Sequence, residues 1–456
     1  TQDYFVGATE QIAQVIVSPS DLSLSDVDST NAIRCQAKIV NDADGDFEIL
    51  SVTTPLPGGM TQSYVASTHT LILSAPAGSV TMTEFQQVLR TLTYTNNDED
   101  PLEGVRDVEI FCFDDSNSPT HQSNTAISRV EIFAVDDAPV LDLNLSDTAS
   151  NDYFTTFTEG DDPVPVSDID LDITDPDSNI ARCVVRLTNP VDGNLESLTA
   201  TNSANVLVVN YSPSTFELVV SGNQPDEEYQ VVLRSIAYNN IDEDPTSANR
   251  IIRWNCTDTT GLSSVATTTV AVVPVNDRPI VDSNGSQNGI DNEVTFVEGS
   301  PVRLTTADST ITDVDNIDLI SCSATLLFAT TGGIETLSTS NQGGLLNVNF
   351  DDVNNILQIT SVAANAPISV FQNALRQMEY NYDSQNPTTT DRQVSIVCTD
   401  STSPSATSLE SVVTINIEPV NSPPVVDLNS DTVPDSFDFV SGAWQEGNGP
   451  VVIVDP

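Results

Sequence analysis

The stretch Arg250-Ile-Ile-Arg-Trp-Asn-Cys-Thr-Asp258 decides the fold, because apolar and polar residues alternate along it. Ile252, Trp254 and Cys256 share one face, and the residues between them are polar. Such alternation is typical of a half-buried β-strand, whose successive side chains point to opposite sides. The pattern therefore places Cys256 in a core, where a cysteine on an earlier strand can meet it.

The same cysteine-bearing strands occur three times. The cysteines form three pairs at closely similar spacing, which are Cys35 and Cys112, Cys183 and Cys256, and Cys322 and Cys398. One pair per copy predicts one disulfide within each copy and an oxidising compartment. Zinc is the competing use of cysteine, but the pairs lack Cys-x-x-Cys spacing and the chain has only 2 histidines.

Other motifs keep the same phase in every copy. An Asp-x-Asp motif precedes each first cysteine, an aromatic-Gln-x-x-Leu-Arg motif leads into a tyrosine, and a hinge such as Val-Asn-Asp closes the copy. The aromatic-to-leucine spacing predicts a short helical turn between the sheets. We expect tandem β-sandwich repeats at residues 1–138, 139–278 and 279–423, with 424–456 forming the first strand of a fourth copy.

The composition favours a cation-binding surface. Acidic residues number 66 and basic residues 14, so the formal net charge is −52. Such a surface repels nucleic acid and anionic lipid, and it attracts hard cations, above all calcium. Solubility and adaptation to high salt are alternative explanations. No apolar run approaches the roughly 20 residues that span a bilayer, so direct membrane insertion is not expected.

An arginine shortly precedes each second cysteine, at Arg106, Arg250 and Arg392. In the first two copies it follows an acidic loop, at residues 98–101 and 242–245. We expect these arginines to form structural ion pairs with the loops rather than a binding site.

No motif indicates catalysis. The two histidines stand in no catalytic pattern, and the chain has neither a Gly-rich phosphate loop after a strand nor a nucleophile elbow. No carboxylate pair stands out as a glycosidase pair. We therefore expect a protein that is not an enzyme.

The ordered motifs resemble the cadherin-like repeats of large extracellular surface and matrix proteins. The resemblance is carried by Phe157-Thr-Glu-Gly160, Asp175-Pro-Asp177, the stretch Leu233-Arg-Ser-Ile-Ala-Tyr-Asn-Asn240, Asp258 and the hinge Val275-Asn-Asp277. It covers all three copies and the partial fourth. It implies calcium at the junctions. The cysteine-bearing strands themselves predict a disulfide between the two sheets, as in immunoglobulin-like sandwiches.

The resemblance implies a set of calcium ligands, at positions that match its motifs. They are Asp26, Asp28, Asp114, Asp136, Asp137, Glu159, Asp175, Asp177, Asp258, Asn276, Asp277, Glu298, Asp313, Asp315 and Asp400. Turn capping by aspartate is the alternative for these residues. The third hinge has Ser422 where an aspartate is expected, so calcium is expected chiefly at the first two junctions.

Asn-x-Ser/Thr sequons occur at Asn144, Asn210, Asn255 and Asn284, so covalent glycans are expected on a secreted chain. Asn144 and Asn284 follow hinges and are expected to be exposed.

The partial fourth copy leaves two hypotheses open. The native chain continues, or residues 439–456 add a strand to a neighbouring molecule and build a head-to-tail filament. The second hypothesis makes copies of the chain its partners and the chain a structural protein of an extracellular filament or matrix. The alternative is a fragment of a calcium-dependent cell-surface adhesin.

Overall fold

The computed structural model describes residues 3–116, 121–202, 206–330 and 334–424. In these residues the fold is all-β, as predicted, and consists of tandem β-sandwiches.

Each predicted copy has a hydrophobic core of its own, and we call the copies repeat 1, repeat 2 and repeat 3. The three cores are built from residues 8–132, 141–272 and 281–417. The chain also divides into two compact units, Thr1–Pro274 and Val275–Pro456. Repeats 1 and 2 therefore belong to one unit and repeat 3 to the other.

Repeat 1 contains β1 (Tyr4–Thr9), β2 (Gln14–Val15), β3 (Ala32–Ile39), β4 (Glu48–Ser51), β5 (Thr61–Val65), β6 (Thr70–Ser74), α1 (Met82–Leu89), β7 (Thr93–Asn96), β8 (Gly104–Asp114) and β9 (Ala126–Phe133).

Repeat 2 contains β10 (Val140–Asp142), β11 (Tyr153–Thr158), β12 (Val164–Pro165), β13 (Asp172–Thr174), β14 (Ile180–Leu187), β15 (Glu196–Thr199), β16 (Val208–Ser212), β17 (Glu217–Gln224), α2 (Asp226–Leu233), β18 (Ala237–Asn240), β19 (Arg250–Asp258) and β20 (Ser263–Val273).

Repeat 3 contains β21 (Ile280–Asp282), β22 (Asn292–Val297), β23 (Val302–Arg303), β24 (Thr310–Thr312), β25 (Asp318–Leu327), β26 (Glu335–Ser338), β27 (Leu346–Asp351), β28 (Ile356–Ser361), β29 (Ala366–Pro367), α3 (Ile368–Leu375), β30 (Glu379–Tyr382), β31 (Arg392–Asp400) and β32 (Ser411–Glu418).

Each repeat has a large sheet and a small one in the same strand order. In repeat 1 these are β1-β9-β8-β3-β6-β5 and β2-β7-β4. Repeat 2 has β11-β20-β19-β14-β17-β16 and β12-β18-β15, and repeat 3 has β22-β32-β31-β25-β28-β27 and β23-β30-β26. In each large sheet, the strand that comes first along the chain pairs in parallel with the strand that comes last. These neighbours are β1 and β9, β11 and β20, and β22 and β32.

The disulfides join neighbouring strands of the large sheet. Cys35 on β3 lies opposite Cys112 on β8 in antiparallel register, and the other two pairs, Cys183–Cys256 and Cys322–Cys398, repeat this arrangement. The expectation of a disulfide between the two sheets is therefore wrong. Period-two alternation fixes the face on which a cysteine lies, but it does not identify the neighbouring strand.

The buried arginines connect the two sheets instead. Arg106 on β8 donates from Nε to Glu48 of β4 at 2.9 Å and from Nη2 to Asp44 at 2.8 Å. Arg250 pairs with Asp192 and Glu196, and Arg392 with Glu335, in the same way. The predicted structural role fits, but the predicted partners in the acidic loops are wrong. The glutamate partners Glu48, Glu196 and Glu335 lie on the small sheet, and Asp44 and Asp192 lie just before it, all far away in sequence.

The aromatic-Gln-x-x-Leu-Arg motif forms a helix in each repeat, as predicted. In α1 the side chain of Thr81 accepts from the Glu84 N–H at 3.2 Å, and Glu84 accepts in return from the Thr81 N–H at 2.8 Å. This capping box satisfies donors at the start of the helix. Each helix is 8 residues long, and the described residues contain no helix that is long and apolar enough to cross a membrane.

Candidate metal site at the junction of repeats 1 and 2

A tight turn after β1, β11 and β22 places one glutamate at the same position in every repeat. Glu159 and Glu298 precede Gly160 and Gly299, which have φ angles of 76° and 85°. Glycine tolerates this left-handed region, so a Glu-Gly pair marks the turn in the sequence. In repeat 1 the turn residue is Gln11, with φ 56°. Glu10 is therefore the equivalent glutamate.

Repeat 1 and its hinge supply carboxylates to the junction. Glu10 is only 6% exposed, and its carboxylate accepts from the backbone N–H of Val135. The hinge follows directly, and the Asp137 N–H donates to Oδ2 of Asp177 in repeat 2 at 2.9 Å. This bond fixes the hinge against the Asp-x-Asp motif.

Repeat 2 supplies the opposing carboxylates from two loops. Oδ1 of Asp175 accepts from the Ser178 N–H at 2.8 Å. Oδ1 of Asp258 accepts from the N–H groups of Thr260 and Gly261, both at 2.7 Å. The Thr260 hydroxyl also donates to the Asp136 carboxylate of the hinge. The backbone contacts of Asp175 and Asp258 are turn capping, which the sequence analysis gave as the alternative to calcium binding.

Turn capping uses only one oxygen of these carboxylates. Several second oxygens are buried and have no hydrogen-bond donor among the described residues. They are Oε2 of Glu10, Oδ2 of Asp137, Oδ2 of Asp175, Oδ1 of Asp177 and Oδ2 of Asp258. A buried acceptor without a donor costs about 1–3 kcal/mol, so the cluster is destabilising unless something else satisfies these oxygens.

The electrostatics of Glu10, Asp137 and Asp175 point the same way, whereas the pKa of Asp258 is lowered, because its burial is outweighed by its hydrogen bonds from Thr260, Gly261 and Leu262. Burial raises the pKa of the Glu10 carboxyl, and the negative charges of Asp137 and Asp177 raise it further. Burial and the neighbouring carboxylates also raise the pKa of Asp137. Burial, together with Asp177, raises the pKa of Asp175 to about 6. Each raised pKa reports an environment that disfavours the negative charge of the carboxylate.

The donor set has the oxygen chemistry that a hard divalent cation prefers. The cluster consists of Glu10, Glu99, Asp136, Asp137, Asp175, Asp177 and Asp258, linked by the contacts above and by the charge of Glu99 on Glu10 and Asp137. All of its ligand atoms are oxygens, which calcium takes in sets of 6–8 at flexible geometry. It contains no histidine or cysteine, the ligands that zinc prefers.

The predicted residues at the start of repeat 1 are arranged differently. Oδ1 of Asp26 accepts from the N–H groups of Asp28 and Ser29 at 3.0 and 3.2 Å, and Oδ1 of Asp114 accepts from Ser116 at 2.7 Å. The hydrogen bond and charge of Asp26 raise the pKa of Asp28. Asp26 and Asp28 are exposed, and turn capping accounts for their contacts in the described structure.

The residues of the second hinge, Asn276 and Asp277, contact loops of repeat 3 that belong to the same unit. The Asp277 N–H donates to Asp315, and Nδ2 of Asn276 donates to Asp400 at 2.8 Å. Oδ1 of Asp313 accepts from the Asp315 N–H at 3.1 Å, while its Oδ2 is buried without a donor among the described residues. The hinge-to-motif arrangement of repeat 2 therefore recurs in repeat 3.

The remaining two predicted ligands lie at the Glu-Gly turns. The Glu159 N–H donates to the Val273 carbonyl at 3.0 Å, which holds the turn beside the last strand of repeat 2. Oε2 of Glu298 accepts from the Val420 N–H at 2.9 Å. Glu298 thus holds its hinge as Glu10 holds Val135.

The sequons lie in different surroundings. Asn144 is half-buried and accepts from the Ser146 hydroxyl at 2.9 Å, while Asn210 and Asn255 are exposed. Asn284 is only 4% exposed, and its Nδ2 donates to the carbonyls of Asn288 and Asp291. The expectation that Asn284 is exposed is wrong, because the nitrogen that a glycan would occupy holds a loop together.

Sequence reasoning missed two members of the cluster, Glu10 and Glu99. Gln11 hides the Glu-Gly pattern at Glu10. Glu99 belongs to the acidic loop that was predicted to pair with Arg106. Its equivalence to Glu243 of repeat 2 was nevertheless visible in the sequence.

Comparisons with known proteins return structural likeness only. No protein-family model matches the chain, and no curated protein matches it. Similar solved structures are tandem cadherin fragments. "Protocadherin Gamma B2 extracellular cadherin domains 3-6" is 13% identical, with 90% of this chain and 76% of that chain covered at a TM-score of 0.28.

Two further structures are alike to the same degree. The protocadherin gamma C5 EC1-3 fragment is 14% identical, with 91% and 99% covered at a TM-score of 0.26. Mouse cadherin-23 EC22-24 is 14% identical, with 92% and 97% covered at a TM-score of 0.24. Likeness at these scores carries no argument about function, and the sandwich fold rests on the sheets described above.

Proposed function

We propose that the chain is part of a non-enzymatic extracellular ectodomain, of the adhesin type, whose repeats 1 and 2 are joined by calcium. The observation that carries the proposal is the set of buried carboxylate oxygens that lack donors at this junction. The repeats span residues 1–138, 139–278 and 279–423 in this proposal, and equivalent calcium ligands lie at the start of repeat 3.

The chemistry of the cluster supports a linking role rather than catalysis. The carboxylates come from both repeats and from the hinge, so a cation bound by them ties three segments together. Calcium would neutralise their mutual repulsion and supply the missing partners for their free oxygens. The three disulfides support an oxidising, extracellular location.

The filament hypothesis has no comparable support. Its donor strand, residues 439–456, lies outside the described residues, so strand addition between copies stays a prediction.

The proposal is tested by calcium binding to the full chain after removal of divalent ions. Isothermal titration should show calcium binding that Asp137→Asn together with Asp177→Asn reduces by at least one ion per chain. Asp352→Asn, an exposed aspartate in repeat 3 outside the cluster, is the matched control and should bind as the parent does. Equal calcium binding by the parent and the double variant would show that calcium does not bind at this junction.

A further inference from the structure

The large sheet of repeat 2 ends in an open edge strand. Among the described residues β16 pairs only with β17, in antiparallel register. An edge strand presents unpaired backbone N–H and C=O groups, which can pair with a strand of another molecule. Native edges are therefore shielded by charge, by irregular backbone or by a cover.

Repeat 2 lacks the polar edge of its neighbours. Buried Met60, Leu207 and Leu346 occupy equivalent positions where the edge strand of each repeat begins. The next residue is Thr61 in repeat 1 and Asn347 in repeat 3. In repeat 2 it is Val208, whose side chain is 66% exposed.

The same strand carries a sequon. Asn210 lies two positions after Val208 on the same outward face, at roughly 7 Å along the strand, and Ser212 completes the sequon on β16. The equivalent positions in the other repeats, Ser63 and Asn349, are not sequons.

Asn210 is also the sequon asparagine best placed for modification. Its side chain is exposed and has no hydrogen-bond partner among the described residues. By contrast, Nδ2 of Asn284 donates a hydrogen bond, and Oδ1 of Asn144 and of Asn255 each accepts one.

We propose that Asn210 carries an N-linked glycan that covers Val208 and blocks the open edge of repeat 2. A branched, hydrated sugar at the middle of β16 prevents a second strand from approaching this edge. The other two repeats achieve the same protection with polar side chains. The inference requires passage through a secretory pathway, as the proposed function does, but it does not depend on calcium.

Glycan mapping of the full chain, secreted from eukaryotic cells, gives the first test. Mass spectrometry of glycopeptides should find Asn210 occupied and Asn284 unoccupied. An unmodified Asn210 on a secreted, disulfide-bonded chain would overturn the inference while leaving the calcium proposal untouched.

Sedimentation velocity gives the second test. Asn210→Gln and Ser212→Ala both remove the sequon and should both shift the chain towards dimers and larger species. Asn144→Gln is the matched control and should stay like the parent. Adding Val208→Thr to Asn210→Gln should restore the parent profile. Loss of the glycan without any new association, or association that Val208→Thr does not reverse, would show that the glycan does not protect this edge.

Discussion

Repeat 1 and repeat 3 hold the same buried arginine with different partners. Arg106 is shared between two carboxylates, Asp44 and Glu48. Arg392 donates from Nε and Nη2 to Glu335, its one carboxylate partner among the described residues, and Nη2 also donates to the Thr388 hydroxyl. Its guanidinium carbon lies 5.5 Å from the centre of the Tyr382 ring. The contact between the two sheets therefore depends on one carboxylate in repeat 3.

The two repeats also differ at the end where the hinge leaves. Repeat 1 presents Glu10, Glu99, Asp136 and Asp137 there, whereas repeat 3 has Glu298, Gln385, Asn421 and Ser422 at the equivalent positions. Repeat 3 forms the same sandwich with one of these four carboxylates. The comparison teaches that the acidic end is not needed to fold a repeat, and that its carboxylates are better explained by binding.

The largest effect is expected from the core of repeat 3. Glu335→Ala leaves Arg392 buried without a carboxylate, and we expect repeat 3 to lose about 3–5 kcal/mol of unfolding free energy. Glu48→Ala should destabilise repeat 1 less, because Asp44 remains beside Arg106. Hydrogen exchange of β31 and β8 amides measures each repeat separately.

Arg303→Ala is the control for this pair of variants, because it breaks an exposed ion pair with Glu379 at 3.6 Å. Such a pair is worth about 0–1 kcal/mol. Equal losses from Glu335→Ala and Glu48→Ala would contradict the claimed difference between the two cores.

Calcium should have the next largest effect, and it should act on the unit that contains repeats 1 and 2. Calcium at roughly one hundred times its dissociation constant adds about 2.7 kcal/mol, or roughly 5–10 °C in Tm for a unit of this size. Asp175→Asn should raise the Tm in chelator, because it removes a charge that burial disfavours, and should lower the gain from calcium. Calorimetry with and without calcium measures both.

The predicted rise in Tm in chelator and the predicted loss of the calcium gain have opposite signs, which makes this test specific to a cation site. If Asp175→Asn lowered the Tm equally in chelator and in calcium, the residue would be a turn cap alone. The control Asp352→Asn should leave the calcium gain unchanged.

The smallest effect is expected from transferring the acidic end to repeat 3. Gln385→Glu combined with Ser422→Asp restores two of the missing carboxylates, so we expect weak additional calcium binding, worth less than about 1 kcal/mol at millimolar calcium. Equilibrium dialysis against the parent chain measures the extra ion. Unchanged binding would show that carboxylate number alone does not set the capacity of this end.

The repeat architecture could be predicted from the sequence because its signals are local or periodic. Alternation around Cys256, the phase of the cysteine pairs and the helix motif after Phe85 each report a single strand or turn. Strand neighbours are not local. The disulfide was therefore predicted between the two sheets, although it lies within the large sheet. Likewise, Arg106 was predicted to pair with a nearby loop, although its partner Glu48 is 58 residues away.

The candidate site was predicted in part for the same reason. Asp137, Asp175 and Asp177 stand in motifs that the resemblance could match position by position. Glu10 precedes a left-handed turn residue that is Gln11 here, so no glycine marked it. The buried second oxygens appear only when the hinge and both loops are placed together in three dimensions.

The parallel pairing of the first and last strands determines how a repeat responds to tension. The chain enters repeat 1 through β1 and leaves it through β9, and these neighbouring strands run in the same direction. A force that pulls on both ends of the repeat therefore loads all the β1–β9 hydrogen bonds together in shear. If that pair fails, the disulfide between Cys35 and Cys112 still closes a loop with a sequence separation of 77 residues. At about 3.3 Å per residue, roughly 250 Å of chain in repeat 1 is withheld from extension. In each repeat the disulfide therefore limits the length that the chain can yield under mechanical load.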